Sequence, residues 1–312
     1  MACARSLRRA GCFVEVFERD KMIGGRLGTA RLGLVPFDHG AQYLASRSDR
    51  FRAFVDELVQ TGYATPWSPV TATPTTGTEP FRPSWHVGTP AMASIVRPLA
   101  EGVRVHTQHA VHTLQRQEKG WHLWFEDQTS TGPFAAVAVC VPAPEARLLV
   151  GRYDHLIEPL ARVKMSPCWS VLVRLDERVL PQADVYSDMS QLIRWIGRNN
   201  AKPGRTRGRG EHLVIHTAPQ WTRETIDADP ELVAEEVWAE VCNVLDLPPI
   251  RPVQMAAVLW QHGLVDASLG ESYIYSSKDK VGLAGDWCLG RLAEHAYDSG
   301  LQLGRVIVDS LT

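Results

Sequence analysis

The residues best suited to chemistry in this chain are a carboxylate and a pair of glycines just after it. Glu18 closes an apolar run of strand length, Cys12-Phe-Val-Glu-Val-Phe-Glu18. A carboxylate at a strand end accepts two hydrogen bonds, which suits the neighbouring hydroxyls of a ribose, and it repels a 2′-phosphate. Gly24-Gly25-Arg26 follows. Paired glycines let the backbone approach a pyrophosphate, and an arginine neutralises it. Taken singly, Glu18 reads better as a solvated strand-end carboxylate, and the glycines read also as a plain turn. The combination Glu18-x5-Gly-Gly-Arg is the more specific signal.

Two further segments carry candidate groups. Phe37-Asp38-His-Gly-Ala-Gln-Tyr43 sets the small pair Gly40-Ala41 beside the amide of Gln42 and the ring of Tyr43. That composition suits a backbone passing close to a flat ring. Gly285-Asp286-Trp287-Cys288 stands between the last predicted strand and the C-terminal helix. An aspartate there can bond a ribitol or pyrophosphate-side hydroxyl, and a helix N-terminus stabilises negative charge on a ring carbonyl. The alternative is an N-cap of the final helix. The six cysteines show no C-x-x-C spacing, so neither a metal site nor a redox dithiol is expected. They read as buried thiols.

The elements that must position these groups follow from periodicity. Residues 2–10 read as a helix and 12–18 as a strand. Residues 48–61 read as a capped amphipathic helix, 64–84 as a proline- and threonine-rich loop, and 90–100 as a helix with Pro90 at its start. From 103 to 141 the pattern changes to short strands, and 167–175, 191–197 and 211–218 are further strands. Gly204-Arg-Thr-Arg-Gly-Arg-Gly210 reads as a mobile basic loop in which Arg205, Arg207 and Arg209 are candidates for a substrate phosphate. Residues 229–247 form a long helix, 281–285 a short buried strand and 292–311 a final helix. The two ends of the chain thus look like pieces of one nucleotide-binding domain around an insertion.

With 312 residues, a net charge of −2, 45% hydrophobic and 22% charged residues, the chain is neither disordered nor a polyelectrolyte. Two domains are expected at this length. The charge balance predicts no nucleic-acid partner, and no run of 18 apolar residues predicts a membrane span. The expected location is the cytoplasm.

These motifs, in their order along the chain, resemble the FAD-dependent amine oxidase superfamily, and within it renalase-like proteins. Trp85-His-Val-Gly88, Met92-Ala-Ser-Ile95, Val163-Lys-Met165 with Pro167, Arg198-Asn199, Lys202-Pro203 and His216 with Gln220-Trp221 fit the same pattern. The resemblance implies an α/β fold: a doubly wound, Rossmann-like FAD-binding domain over 1–74, 101–144 and 263–312. An inserted α+β substrate domain on a mixed or antiparallel sheet would cover 75–100 and 145–262. It implies non-covalent FAD held by Glu18, Gly24, Gly25, Arg26, Asp38, Gly40, Ala41, Gln42, Tyr43, Gly285, Asp286 and Ala296. The implied substrate pocket holds His216, Trp221, Trp260, Arg198 and His295. The implied reaction is hydride transfer from 2- or 6-dihydroNAD(P) to flavin and then to oxygen, giving hydrogen peroxide and NAD(P)+. The partners are the dihydronicotinamide dinucleotide and oxygen, with no catalytic residue required beyond the flavin. An amine oxidase or desaturase acting on another small molecule is the alternative in the same chemistry.

The sequence departs from that family at three places. The family opens with a strand and a G-x-G-x-x-G loop, whereas this chain starts in the body of the first helix. The start therefore reads as an internal methionine or a truncation, and a non-catalytic remnant that binds no FAD is the rival reading. His295-Ala296 stands where the family has Gly-Ala, so His295 either donates to the flavin carbonyl or crowds the ring. Gln261-His262-Gly263 follows Trp260 where basic or aromatic residues are usual, which leaves substrate identity open.

Overall fold

The computed structural model describes residues 1–75, 77–80, 85–205 and 210–312, with the side chains of 77–80 left aside. Arg207 and Arg209 lie outside the described residues. The chain forms two compact units, one of residues 1–25, 96–165 and 265–312, the other of 26–95 and 166–264.

The first unit is built on short parallel pairings. Strand Glu15–Phe17 runs parallel to Arg104–His106, with Val16 opposite Val105. Strand Val281–Leu283 is parallel to Val137–Val139 and antiparallel to Ile274–Ser276. An antiparallel meander, Val111–Gln117, Gly120–Phe125 and Ser130–Phe134, completes its sheets. Valines and leucines at every position of 137–139 and 281–283 but two make these strands fit for burial on both faces. Helix Ala2–Arg9 packs on the C-terminal helix Ala293–Leu311, where Cys3, Leu303 and Ile307 meet Ala284. A larger core gathers Trp121, Val139, Val150, Leu156, Leu283 and Trp287.

The second unit is built on a mixed seven-stranded sheet. Its order is Gln254–Ala267, Lys164–Leu175, Glu211–Thr217, Ile193–Arg198, Val185–Ser187, Val70–Thr73 and Gly77–Pro80. Val185–Ser187 pairs parallel with Val70–Thr73, and the pairings of 164–175, 211–217, 193–198 and 185–187 in succession are antiparallel. Helix Pro230–Val244 covers one face. Asp229 caps it by accepting from the Glu231 amide at 2.7 Å, Pro230 opens it, and Val233, Val237 and Val241 form one stripe. That stripe meets Val171, Val173, Ile193, Ile196 and Ile215.

Several elements differ from the sequence expectation. The expected loop at 64–84 holds strands Ala64–Trp67, Val70–Thr73 and Gly77–Pro80. Ala64–Trp67 and Gly77–Pro80 are edge strands, where Pro66 and Pro80 need not donate to a neighbour. Strands Val185–Ser187, Gln254–Ala267 and Ile274–Ser276 were not marked by period or flanking turns. The compact units also divide the chain differently from the expected domains. Residues 26–74 join the second unit because Val70–Thr73 extends its sheet and Asp38 is bound there by Lys202 and Arg205. Residues 145–165 join the first, where Ala146, Val150, Leu156 and Leu160 enter its core.

Arg205 is buried, not solvated. Of the cysteines, Cys3, Cys168 and Cys288 are buried as expected, whereas Cys12 and Cys242 are half-buried and Cys140 is exposed. Among the described residues no helix is long and apolar enough to cross a membrane.

Candidate functional site

In the first unit, Glu18 follows directly on strand Glu15–Phe17. Its amide donates to the His106 carbonyl and its carbonyl accepts from His109, both at 2.8 Å, which fixes the strand end. Oε1 accepts from the Asp20 amide at 3.1 Å. Burial pushes the carboxyl pKa up against that amide bond. The Arg19 amide acts on the same carboxylate, so the side chain is held at the strand end by backbone donors. Gly24 and Gly25 have φ of +134° and +50°, conformations that side-chain-bearing residues rarely adopt, and they turn the chain.

Gly285 and Asp286 lie at the far end of strand Val281–Leu283. The Gly285 amide donates to Ser299 Oγ at 3.0 Å, and Asp286 Oδ1 accepts from the Trp287 amide at 2.9 Å. Asp286 opens a short 3-10 turn, Asp286–Cys288, and the final helix starts only at Ala293. Asp286 is therefore not the cap of that helix. His295 sits in the helix's first turn, where its Nδ1 accepts from the Leu292 amide at 3.3 Å. One ring nitrogen of the imidazole is thereby tied to its own helix end. Ala296 is exposed.

In the second unit, Gly40 lies against the backbone of Arg26. A Cβ on Gly40 would stand 2.0 Å from the Arg26 oxygen, so only glycine fits. The same oxygen accepts from the Ala41 amide at 2.8 Å. Arg26 Nη1 donates to the Gly263 carbonyl at 3.4 Å. These contacts explain the Gly40-Ala41 pair by close approach of two backbone segments.

Asp38, expected at the cofactor, sits in a buried ion cluster. Oδ2 receives Arg205 Nη2 at 2.6 Å, Arg205 Nε at 3.1 Å and Lys202 Nζ at 3.2 Å. Oδ1 accepts from the Met92 amide at 2.9 Å and Thr29 Oγ1 at 3.2 Å. Burial opposes the charge on Asp38, but Lys202, Arg205 and the Met92 amide outweigh it and hold the carboxyl below the usual range. Burial pulls Lys202 down to about 8 despite Asp38. Gln42 joins the cluster: Oε1 accepts from Lys202 Nζ at 3.0 Å, and Nε2 donates to the carbonyls of Asp38 and Gly40. Arg198, expected in the substrate pocket, is likewise engaged, by Glu211 at 2.5 Å and Asp184 at 2.8 Å. All its donor directions serve the fold, since Nη2 donates to the Leu180 carbonyl.

The remaining expected residues meet on the sheet face opposite helix Pro230–Val244. His216 Nε2 donates to the His39 carbonyl at 3.2 Å, and Trp260 Nε1 donates to the same oxygen at 3.0 Å. The His39 ring stacks on Trp260 at 4.8 Å. Burial, opposed by the His39 bond and helped by the charges of Lys202, His39 and Arg194, lowers His216 to about 4. Tyr43 stacks on Trp85 at 3.7 Å, and both rings tilt against Trp195. Trp221, by contrast, packs from helix Pro219–Glu224 against the core. Trp195 joins this aromatic face. Its type anticipates this: the sequence reads Trp85, Trp169, Trp195 and Trp260 as a wall for a planar ring, with core packing the alternative for each. His39 also joins the face and was not singled out in the sequence. His39 acts partly through its backbone carbonyl, which no side-chain motif reveals.

A unit of short parallel strands with a carboxylate at a strand end, and a mixed-sheet unit bearing an aromatic face, are features that suit a nucleotide-cofactor enzyme. Residues 77–303 match the family described as flavin containing amine oxidoreductase, and residues 1–58 match a NAD(P)-binding Rossmann-like domain. The chain belongs to the flavin-containing amine oxidoreductases, whose cofactor is a flavin. Its fold is similar to three solved structures. A protein from Exiguobacterium sp. 255-15, assigned as a protoporphyrinogen oxidase, matches with a TM-score of 0.77 at 11% identity, over 99% of this chain and 95% of that one. Cyclohexylamine oxidase from Brevibacterium oxydans IH-35A matches with a TM-score of 0.76 at 12% identity, over 99% and 96%. A putrescine oxidase triple mutant matches with a TM-score of 0.73 at 12% identity, over 99% and 96%. In the first unit, the strand-end carboxylate of Glu18 and the positive-φ glycines Gly24 and Gly25 are of the kind that fits the nucleotide half of FAD.

Proposed function

We propose that this chain is a renalase-like oxidase that takes hydride from 2- or 6-dihydroNAD(P) and returns NAD(P)+, with oxygen reduced to hydrogen peroxide. FAD, held without a covalent bond, supplies the hydride acceptor and the reaction with oxygen. Glu18 would hold its ribose, Gly24 and Gly25 its pyrophosphate, and Asp286 a hydroxyl on the ribitol side. The aromatic face of the second unit receives the dihydropyridine, where flat rings exclude water and orient a flat substrate.

The observation that carries this reading is the charge around His216. Among the described residues the charged groups that act on it are Lys202, His39 and Arg194, and no carboxylate acts on it directly, Asp38 being engaged by Lys202 and Arg205. An alkylamine reaches an enzyme as a cation and would find no counter-charge there. A dihydronicotinamide dinucleotide carries negative phosphates instead. Loss of hydride from a dihydropyridine leaves an aromatic cation, so no proton must be removed from carbon. His216, held neutral with its Nε2–H committed to the His39 carbonyl, suits a role in positioning and not in base catalysis.

The test is peroxide production by the FAD-loaded protein with 6-dihydroNAD, cyclohexylamine and putrescine. Oxidation of 6-dihydroNAD alone supports the reading. Oxidation of either amine in its place favours the amine oxidase alternative.

A further inference from the structure

The second unit holds a cation, Arg194, that the described residues of the fold do not pair. Strand Ile193–Arg198 pairs with Glu211–Thr217, and the register slips at Arg194: Ile193 faces Thr217, Trp195 faces His216, and Arg194 is extra. Strict alternation would put Ile193 and Ile196 on opposite faces. Both are 0% exposed in the same core. The bulge resolves this by turning Arg194 and Trp195 together to the other face, the usual work of a bulge beside a site.

Arg194 there has no hydrogen-bond or ion-pair partner for its guanidinium among the described residues. Its charge acts on His216, Tyr43 and Cys168, three groups from three separate segments. Beside it, Trp195 Nε1 is a buried donor with no acceptor. A buried unpaired N–H costs about 1–3 kcal/mol and is expected to find a partner. A charged donor and a neutral one, both without partners among the described residues, thus follow each other at the bulge, and Trp195 is itself part of the ring cluster with Tyr43 and Trp85.

We infer that Arg194 is the specificity-determining residue for an anionic substituent of a planar substrate, and that its ligand group is a pyrophosphate. The inference rests on the dinucleotide reading above for the identity of that anion. The guanidinium fork pairs two phosphate oxygens, which a lysine cannot do as well.

Inorganic pyrophosphate, titrated into the purified chain with tryptophan emission as the signal, tests the site without any redox step. Saturable binding is expected, at least tenfold weaker in Arg194→Gln and partly recovered in Arg194→Lys, with unchanged melting temperatures. No saturable binding to the unsubstituted chain, or equal binding by Arg194→Gln, overturns the inference. In turnover, Arg194→Gln should raise KM for 6-dihydroNAD at least tenfold with kcat within about twofold. KM for the neutral 6-dihydronicotinamide riboside should stay unchanged, and a parallel rise for the riboside contradicts the assignment. Pyrophosphate binding at Arg194 without any oxidation of 6-dihydroNAD would sink the activity proposed above and leave the anion site standing.

Discussion

Lys202 Nζ lies 3.2 Å from Asp38 Oδ2 with both side chains at 0–1% exposure, and Arg205 Nη2 reaches the same oxygen at 2.6 Å. One carboxylate therefore serves two buried cations across more than 160 residues of chain. The Gly40–Tyr43 segment hangs from the cluster, because Gln42 bonds Lys202 and the carbonyls of Asp38 and Gly40.

Asp38→Asn should unfold the chain at much lower denaturant. Removing one partner of a buried pair leaves uncompensated charge and costs about 3–5 kcal/mol. Because the folded Asp38 pKa lies below its unfolded value, its contribution is present above pH of about 3.9 and is lost as pH falls through the folded value. Urea unfolding at pH 7 and at pH 3 checks both statements. Asp38→Asn should narrow the difference between the two pH values.

His216 gives a second pH window. Its pKa falls from 6.5 to about 4 on folding. The unfolded chain binds more protons between those values, so stability present above about 6.5 is lost as pH drops towards 4. The amount is about 3 kcal/mol by linkage. His216→Gln should flatten the stability profile between pH 6.5 and 4, measured by denaturation at stepped pH. An unchanged slope would refute the assignment.

Gly40→Ala should be disproportionately harmful. The added methyl carbon would meet the Arg26 oxygen at 2.0 Å, a contact no rotamer relieves. Overpacking against backbone costs about 1–3 kcal/mol, and the Ala41–Arg26 bond would be strained as well. Thermal unfolding reads this directly, with a fall in Tm of several degrees as the expected result.

Some local elements were legible in the sequence. The strand leading to Glu18 and the Gly24-Gly25 turn in the first unit, and helix Asp49–Gln60 behind its cap Ser48 in the second, follow from local period, turn chemistry and capping, which need no distant partner. The second unit was less legible for physical reasons. Asp38, Arg198 and Arg205 are polar residues whose types suggest ligands, yet their partners come from elsewhere in the fold and make them structural. The bulge at Arg194 breaks the alternation by which a strand's faces are read. His39 serves partly through a backbone oxygen, which any residue possesses.

Glu18→Gln should weaken FAD binding about tenfold, since a charged acceptor is worth about 1.5–3 kcal/mol in such a bond. Its effect on unfolding should be small, because the Glu18 backbone bonds remain. Quenching of flavin fluorescence during titration of the apoprotein gives the affinity.

The central claim is that this chain holds FAD and passes hydride to it from an isomeric dihydronicotinamide. The most direct measurement is the visible absorption spectrum of the purified 312-residue protein with and without added FAD, followed by anaerobic 6-dihydroNAD. The account predicts a bound flavin band that bleaches on adding 6-dihydroNAD and returns with oxygen. A chain that retains no flavin after reconstitution, or a bound flavin that 6-dihydroNAD leaves oxidised, would contradict it.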